Sequence, residues 1–141
     1  FSIMESQVSS NIDEFNSQAI TNTIWAYAKV GHSSPKLFNA VSHKVMEELD
    51  TFKSQGLVNI IWAFAKVGYS SPELFNAISP KVLEKLDTFS SQNIANTLWA
   101  HATIGHLAPD LFDAISYKAI EELDTFNHQE LANTIWAFAK V

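Results

Sequence analysis

Residues 52–67 read FKSQGLVNIIWAFAKV, and nearly the same string occurs three more times. It stands at 15–30 as FNSQAITNTIWAYAKV, at 89–104 as FSSQNIANTLWAHATI and at 126–141 as FNHQELANTIWAFAKV. Trp25, Trp62, Trp99 and Trp136 mark the copies at intervals of 37 residues. A fixed period of this size is the signature of a repeat array rather than of one closed globular domain. It also bears on function, because a solenoid offers a long surface more readily than a catalytic pocket.

Outward from that string, each period holds two helical patterns. The A segment follows Phe15, Phe52, Phe89 and Phe126; Asn16, Ser90 and Asn127 are suitable N-caps, Asn127 with Glu130 forms a capping-box pattern, and Lys53 is a poor cap. Gly31, Gly68 and Gly105 close the A segments where a left-handed residue is expected. The B segment opens with Ser34-Pro35, Ser71-Pro72 or Ala108-Pro109 and buries a face such as Leu37, Phe38, Val41, Val45 and Leu49. Pro80 predicts a kink, or a restart with Ser79 as cap. The fold class is all-α, an α-α superhelical solenoid of 37-residue helix-pair repeats, right-handed by analogy with other such solenoids. Expected helices span 2–12, 17–30, 35–49, 54–67, 72–87, 91–104, 109–123 and 128–140.

The chain divides into a partial repeat 1–14, repeats 15–51, 52–88 and 89–125, and a partial repeat 126–141, all in one array. Neither end carries the polar capping repeat that solenoids need, so the sequence reads as a segment of a longer protein. Apolar content is 47% and there is no cysteine, which leaves no disulfide or thiolate metal site. Apolar stretches are too short for a bilayer span, so no membrane insertion is expected. His32, His43, His101, His106 and His128 show no metal-ligand spacing, and no phosphate loop or nucleophile motif occurs. The reading is a binder: no enzyme, no cofactor, no metal and no small-molecule substrate.

The tryptophans read as buried core residues beside Ile20, Ile24 and Ala28, because recurring large residues build the continuous core of a solenoid. Function is sought instead in a polar stripe. At about 100° per residue, Gln18, Asn22 and Lys29 fall within an arc of about 40°. The stripe recurs as Gln55, Asn59, Lys66 and as Gln129, Asn133, Lys140; the third repeat keeps Gln92 and Asn96 but has Thr103 in place of lysine. Two readings stay open. The amides could bond to each other and hold the stack in register, or the stripe could line a groove for single-stranded RNA, lysine neutralising phosphate and amides meeting base edges. Beside it lies a position that differs in every copy, Ala19, Gly56, Asn93 and Glu130, the arrangement a one-base-per-repeat reader requires.

The net charge of −6 is unevenly spread. The four A segments carry Lys29, Lys53, Lys66 and Lys140 against Glu130, a net of +3; the rest carries five lysines and fourteen acids, a net of −9. A mildly basic A side and an acidic B side follow, the Glu-Glu-Leu-Asp runs forming a solvated face. With no arginine, phosphate forks are missing and affinity per repeat should be modest.

The string Gln-x-Leu/Ile-Ala-Asn-Thr-Ile/Leu-Trp-Ala-Phe/His-Ala, clearest at Gln92–Ala102 and Gln129–Ala139, resembles the octotricopeptide repeat and still more the heptatricopeptide repeat. The resemblance covers the whole chain. It implies a single-stranded RNA-binding solenoid of chloroplast or mitochondrion, acting in RNA processing, stability or translation, with the Gln/Asn positions as contacts. Such proteins often carry a RAP domain, of which this sequence shows no trace. In place of the octotricopeptide proline-rich motif stands Gly-x-Ser-Ser-Pro-x-Leu-Phe. The alternative is a protein-binding scaffold of the tetratricopeptide kind, offering the same groove to protein partners.

Overall fold

A computed structural model of the chain describes residues 2–32, 34–106 and 108–140; Phe1, Ser33, Leu107 and Val141 lie outside the described residues. Eight α-helices and no strand occur among the described residues. They are α1 (Ser2–Ser10), α2 (Ser17–Lys29), α3 (Pro35–Glu47), α4 (Ser54–Lys66), α5 (Pro72–Glu84), α6 (Ser91–Ile104), α7 (Pro109–Glu121) and α8 (His128–Lys140). The even-numbered helices come from the A segments and form one layer; the odd-numbered ones form the other. Successive A helices approach each other more closely than successive B helices do, so the A layer lies on the inside of the curve.

The A helices begin and end as their residues dictate. Asn16, Ser90 and Asn127 accept from the amides of Ala19, Asn93 and Glu130, and Glu130 returns a bond from the Asn127 amide, completing the capping box. Lys53 makes no side-chain cap bond. At the other end Gly31, Gly68 and Gly105 take φ of 72°, 73° and 76°, and the amide that follows each glycine returns to a carbonyl five residues back, as in His32 to Tyr27 at 2.9 Å. A Cβ on Gly68 would meet no atom within 4 Å, so only backbone strain opposes a side chain there. Gly68→Ala is expected to cost about 1–2 kcal/mol and Gly68→Asn less, measured by chemical denaturation.

The B helices stop earlier than the sequence suggests. Expected ends at 12, 49, 87 and 123 become Ser10, Glu47, Glu84 and Glu121, each followed by a 3-10 turn (12–14, 49–51, 86–88, 123–125). The reason is local in three of the four. Thr51, Thr88 and Thr125 donate their hydroxyls to the carbonyls of Glu48, Lys85 and Glu122 at 2.6–2.7 Å, tightening the last turn. Ser71 makes no side-chain cap bond; its hydroxyl meets that of Ser42 at 3.2 Å across neighbouring repeats. Nor does α5 restart at Ser79. The helix runs through exposed Pro80, and the Ser79 hydroxyl donates back to the Phe75 carbonyl at 2.8 Å.

The core lies between the layers. Ile20, Ile24, Leu57, Ile61, Ile94 and Leu98 from the A helices meet Leu37, Phe38, Val41, Leu74, Phe75 and Ile78 from the B helices, all buried. A second apolar seam joins successive A helices. Ala63, Ala100 and Ala137 are fully buried, whereas Ala26, with no A helix before it, is exposed. Small residues there permit the close approach of the A layer. The acid runs are largely solvated, with Glu47, Asp50, Glu121 and Asp124 exposed, and some of their carboxylates pair with lysines. Lys44 pairs with Glu48 at 2.8 Å, Lys118 with Glu122 at 2.9 Å, and Lys81 with Asp50 of the preceding repeat, which draws the Asp50 carboxyl below its ordinary range.

Candidate nucleic-acid interface

Gln18, Asn22, Trp25 and Lys29 occupy positions i, i+4, i+7 and i+11 of α2, one row on one face. Gln18, Asn22 and Lys29 are exposed, and Trp25 retains 42% of its surface. The same row runs along α4 as Gln55, Asn59, Trp62, Lys66, along α6 as Gln92, Asn96, Trp99, Thr103, and along α8 as Gln129, Asn133, Trp136, Lys140. None of these residues is fully buried, and Trp136 is 43% exposed.

This corrects the assignment of Trp25 and Trp136 to the core, whereas Trp62 and Trp99 are partly buried and pack against it. The core face of the A helices is filled by Ile20, Ile24 and Ala28 and their counterparts, and the indoles lie to its side. There they stack along the array: ring centroids of Trp25 and Trp62 are 6.5 Å apart, and those of Trp62 and Trp99 are 6.4 Å apart, tilted by 31° and 34°. Trp25 and Trp136 are more open to solvent than Trp62 and Trp99, which are partly buried. The Lys29 ammonium lies over this ladder, 5.2 Å from the Trp25 ring and 5.9 Å from the Trp62 ring.

Within the row the amides do bond to each other, along one helix rather than between repeats. Gln18, Gln55 and Gln129 donate Nε2 to Oδ1 of Asn22, Asn59 and Asn133 at 3.0–3.1 Å. Each pair fixes its own orientation and leaves the Gln Oε1 acceptor and the Asn Nδ2 donor available outward.

The lysines of the two layers differ, although Lys36 and Lys85 of the B side also make no ion pair among the described residues. Lys44, Lys81 and Lys118 on the B helices all reach carboxylates. Among the described residues no carboxylate lies within ion-pair distance of Lys29, Lys53, Lys66 or Lys140, and all four are exposed. Most of the B-layer cations are thus compensated internally, Lys36 and Lys85 excepted, whereas all four A-segment lysines remain open to an external anion.

A family profile described as RNA-editing substrate-binding complex 6 protein (RESC6) matches residues 1–141. The chain belongs to the RESC6 family. That membership makes it an RNA-associated helical-repeat protein. No curated protein sequence matches it.

In this RESC6-family array the variable position does not share the exposed row. Gly56, Asn93 and Glu130 face the seam with the preceding A helix, in line with Ala63, Ala100 and Ala137 at i+7, and Ala19 holds the equivalent position on α2 in line with Ala26. Asn93 is buried, and its Oδ1 has no hydrogen-bond partner. Glu130 is tied to the Asn127 amide and to the Ser91 hydroxyl of the preceding repeat. Side chains so placed separate repeats and present no free edge to a nucleotide, which removes the structural ground for a reader at Asn93 or Glu130. Among the described residues no group of three or more His, Asp or Glu is arranged to hold a metal ion, and no helix is long and apolar enough to cross a membrane.

The row contains what the polar stripe lacked, an aromatic member. Its signal was in the spacing: seven residues after Gln18 the helix has turned by about two full circles, which returns Trp25 to within about 20° of Gln18. Lys53 was legible too, as the one cap position of the A helices that holds a cation instead of a hydroxyl or amide.

Proposed function

We propose that this RESC6-family array binds single-stranded RNA along its A layer. The observation that carries the reading is the row itself: partly exposed indoles and polar amides recur along one face, with acid-free lysines in three of its four copies. Every base has a π-face, so unpaired bases can stack on the indole ladder whatever their identity. Lys29, Lys66 and Lys140 neutralise phosphates, and the outward Gln and Asn groups bond to base edges. A duplex hides its bases and uses the lysines alone, so single strands bind preferentially.

The role that fits is RNA processing, stability or translation by a repeat of octotricopeptide or heptatricopeptide kind. Of the two organelles the resemblance implies, the mitochondrion is the one supported by the RNA-editing description of the family. The array acts as a binder without chemistry of its own. The word complex in the same description also favours protein neighbours, which the exposed B-layer acids suit if those neighbours are basic. RNA keeps first place because Lys29, Lys66 and Lys140 stand in the same row as the indoles and amides, with no carboxylate paired to them.

The lysines provide the test. The triple variant Lys29→Ala, Lys66→Ala, Lys140→Ala should bind all single-stranded sequences more weakly. Its dependence of log affinity on log salt should be shallower by about 2, at about 0.7 per phosphate contact on a single strand. Fluorescence anisotropy across a salt series measures both. Unchanged affinity and slope would mean that the row is a packing device, and the scaffold reading would then lead.

A further inference from the structure

The three repeat seams of the A layer are built alike, but the variable position fills them differently. Between α4 and α6 the buried Asn93 occupies the seam, and between α6 and α8 Glu130 crosses it to Ser91. Between α2 and α4 the same position is Gly56 and contributes no side chain. A depression of about 230 Å³ opens there, lined by Gln18, Thr21, Phe52, Gln55 and Asn59. A Cβ on Gly56 would come within 3.3 Å of the Thr21 hydroxyl oxygen and 3.8 Å of the Phe52 ring, so the glycine keeps the floor of this space free.

We infer that this depression is a slot for a single unstacked nucleobase of the RNA strand. The inference rests on the RNA reading of the A layer and adds to it a site with base preference. Three features argue for a base rather than for solvent alone. The slot adjoins the exposed row at its amide end, where Gln18 and Gln55 belong to both, so a strand stacked on the indoles passes its mouth. Its walls offer hydrogen bonding of both kinds. Gln18 and Gln55 have spent Nε2 on Asn22 and Asn59, which leaves their Oε1 atoms as acceptors and Asn59 Nδ2 as a donor. Thr21 donates its hydroxyl to the Ser17 carbonyl at 2.9 Å, so its lone pairs face the space as a fixed acceptor. Finally, the buried Phe52 gives the space an apolar boundary against which the edge of a planar ring can rest.

Variation at this position thus acts by absence: the repeat without a side chain admits a base, and the repeats that carry one exclude it. The indole ladder gives affinity without preference, and this seam adds preference at one place in the bound strand.

The test is selection from a random-sequence pool of single-stranded RNA with the intact chain, comparing the unmutated protein with Gly56→Asn and Gln18→Ala. Gly56→Asn gives the second repeat the residue that the third repeat carries at position 93. The unmutated protein should enrich one base about tenfold at one register position. Gly56→Asn should abolish that enrichment while still recovering RNA. Gln18→Ala, at an exposed position on the wall of the slot, should reduce the enrichment even if Gly56→Asn unfolds, which thermal melting reports. RNA recovery with no enriched position, or with enrichment unaffected by the variants, overturns the slot and leaves the RNA reading standing. Failure of the unmutated protein to recover RNA overturns both.

Discussion

Replacing Trp62 with alanine is expected to lower affinity for single-stranded RNA by about 1–3 kcal/mol, the value of one base stacked on an aromatic side chain. Trp62 is the middle ring of the ladder, in contact with both Trp25 and Trp99, and its loss interrupts the surface for the strand on both sides. It also removes one of the two indoles under the Lys29 ammonium. Stability should fall by less than the ~3–5 kcal/mol of a fully buried tryptophan, because part of the indole already faces water. Ile61→Ala is the control. Ile61 is fully buried beside Trp62, so its truncation should cost about 2–5 kcal/mol of stability while the row stays intact. Anisotropy and denaturant melts on both variants separate the effects; a Trp62→Ala protein with unchanged affinity would return the ladder to a packing role.

The second large effect concerns pH. His101 stands where the other repeats have Tyr27, Phe64 and Phe138, and it is fully buried among Phe75, His106 and Phe112. Its Nδ1 meets the Thr97 carbonyl at 2.9 Å and its Nε2 the Ser79 hydroxyl at 3.3 Å, a setting for the neutral ring. Burial pushes its pKa down from 6.5 to about 4, against the Thr97 carbonyl, which favours the proton, and with the help of His106. Between those values the unfolded chain binds the proton and the folded one does not. Stability is therefore complete above pH 6.5 and declines as pH falls toward 4, by about 3 kcal/mol in all. His106, also shifted down by burial, adds to the same trend. Paired Glu5 contributes in a separate, more acidic window below 4.5, since its carboxyl is lowered by His32. His101→Phe, which restores the residue found at 64, should flatten the profile between pH 6.5 and 4. A slope in that window that survives the substitution would contradict the assignment.

Much of the fold was legible because its signals are local. The period, the prolines at helix starts, the glycines after the A helices and the Asn127–Glu130 capping box each act within a few residues, and all appear where the sequence places them. The ends of α3, α5 and α7 differ from the sequence reading by two or three residues for an equally local reason, the threonine hydroxyls of the Leu-Asp-Thr-Phe turns. The site was half legible. Angle along the helix groups Gln18, Asn22 and Lys29, while size assigns the tryptophans to the core, which fits partly buried Trp62 and Trp99 and fails for exposed Trp25 and Trp136. What the sequence could not show is which side of the row meets the preceding repeat. That depends on packing between elements 37 residues apart, and it turns Asn93 and Glu130 into seam residues and Gly56 into an opening.

All four tryptophans of the chain lie in the A-layer row, so intrinsic tryptophan fluorescence reports on that row and on no other part of the protein. Titrating the chain with single-stranded RNA at low salt should quench this emission as bases stack on the indoles. The quenching should follow the same isotherm as anisotropy of the labelled RNA, and it should weaken with salt. Duplex RNA of the same sequence should bind more weakly and quench little. Binding of the single strand that leaves the tryptophan emission unchanged would place the RNA elsewhere and contradict the account.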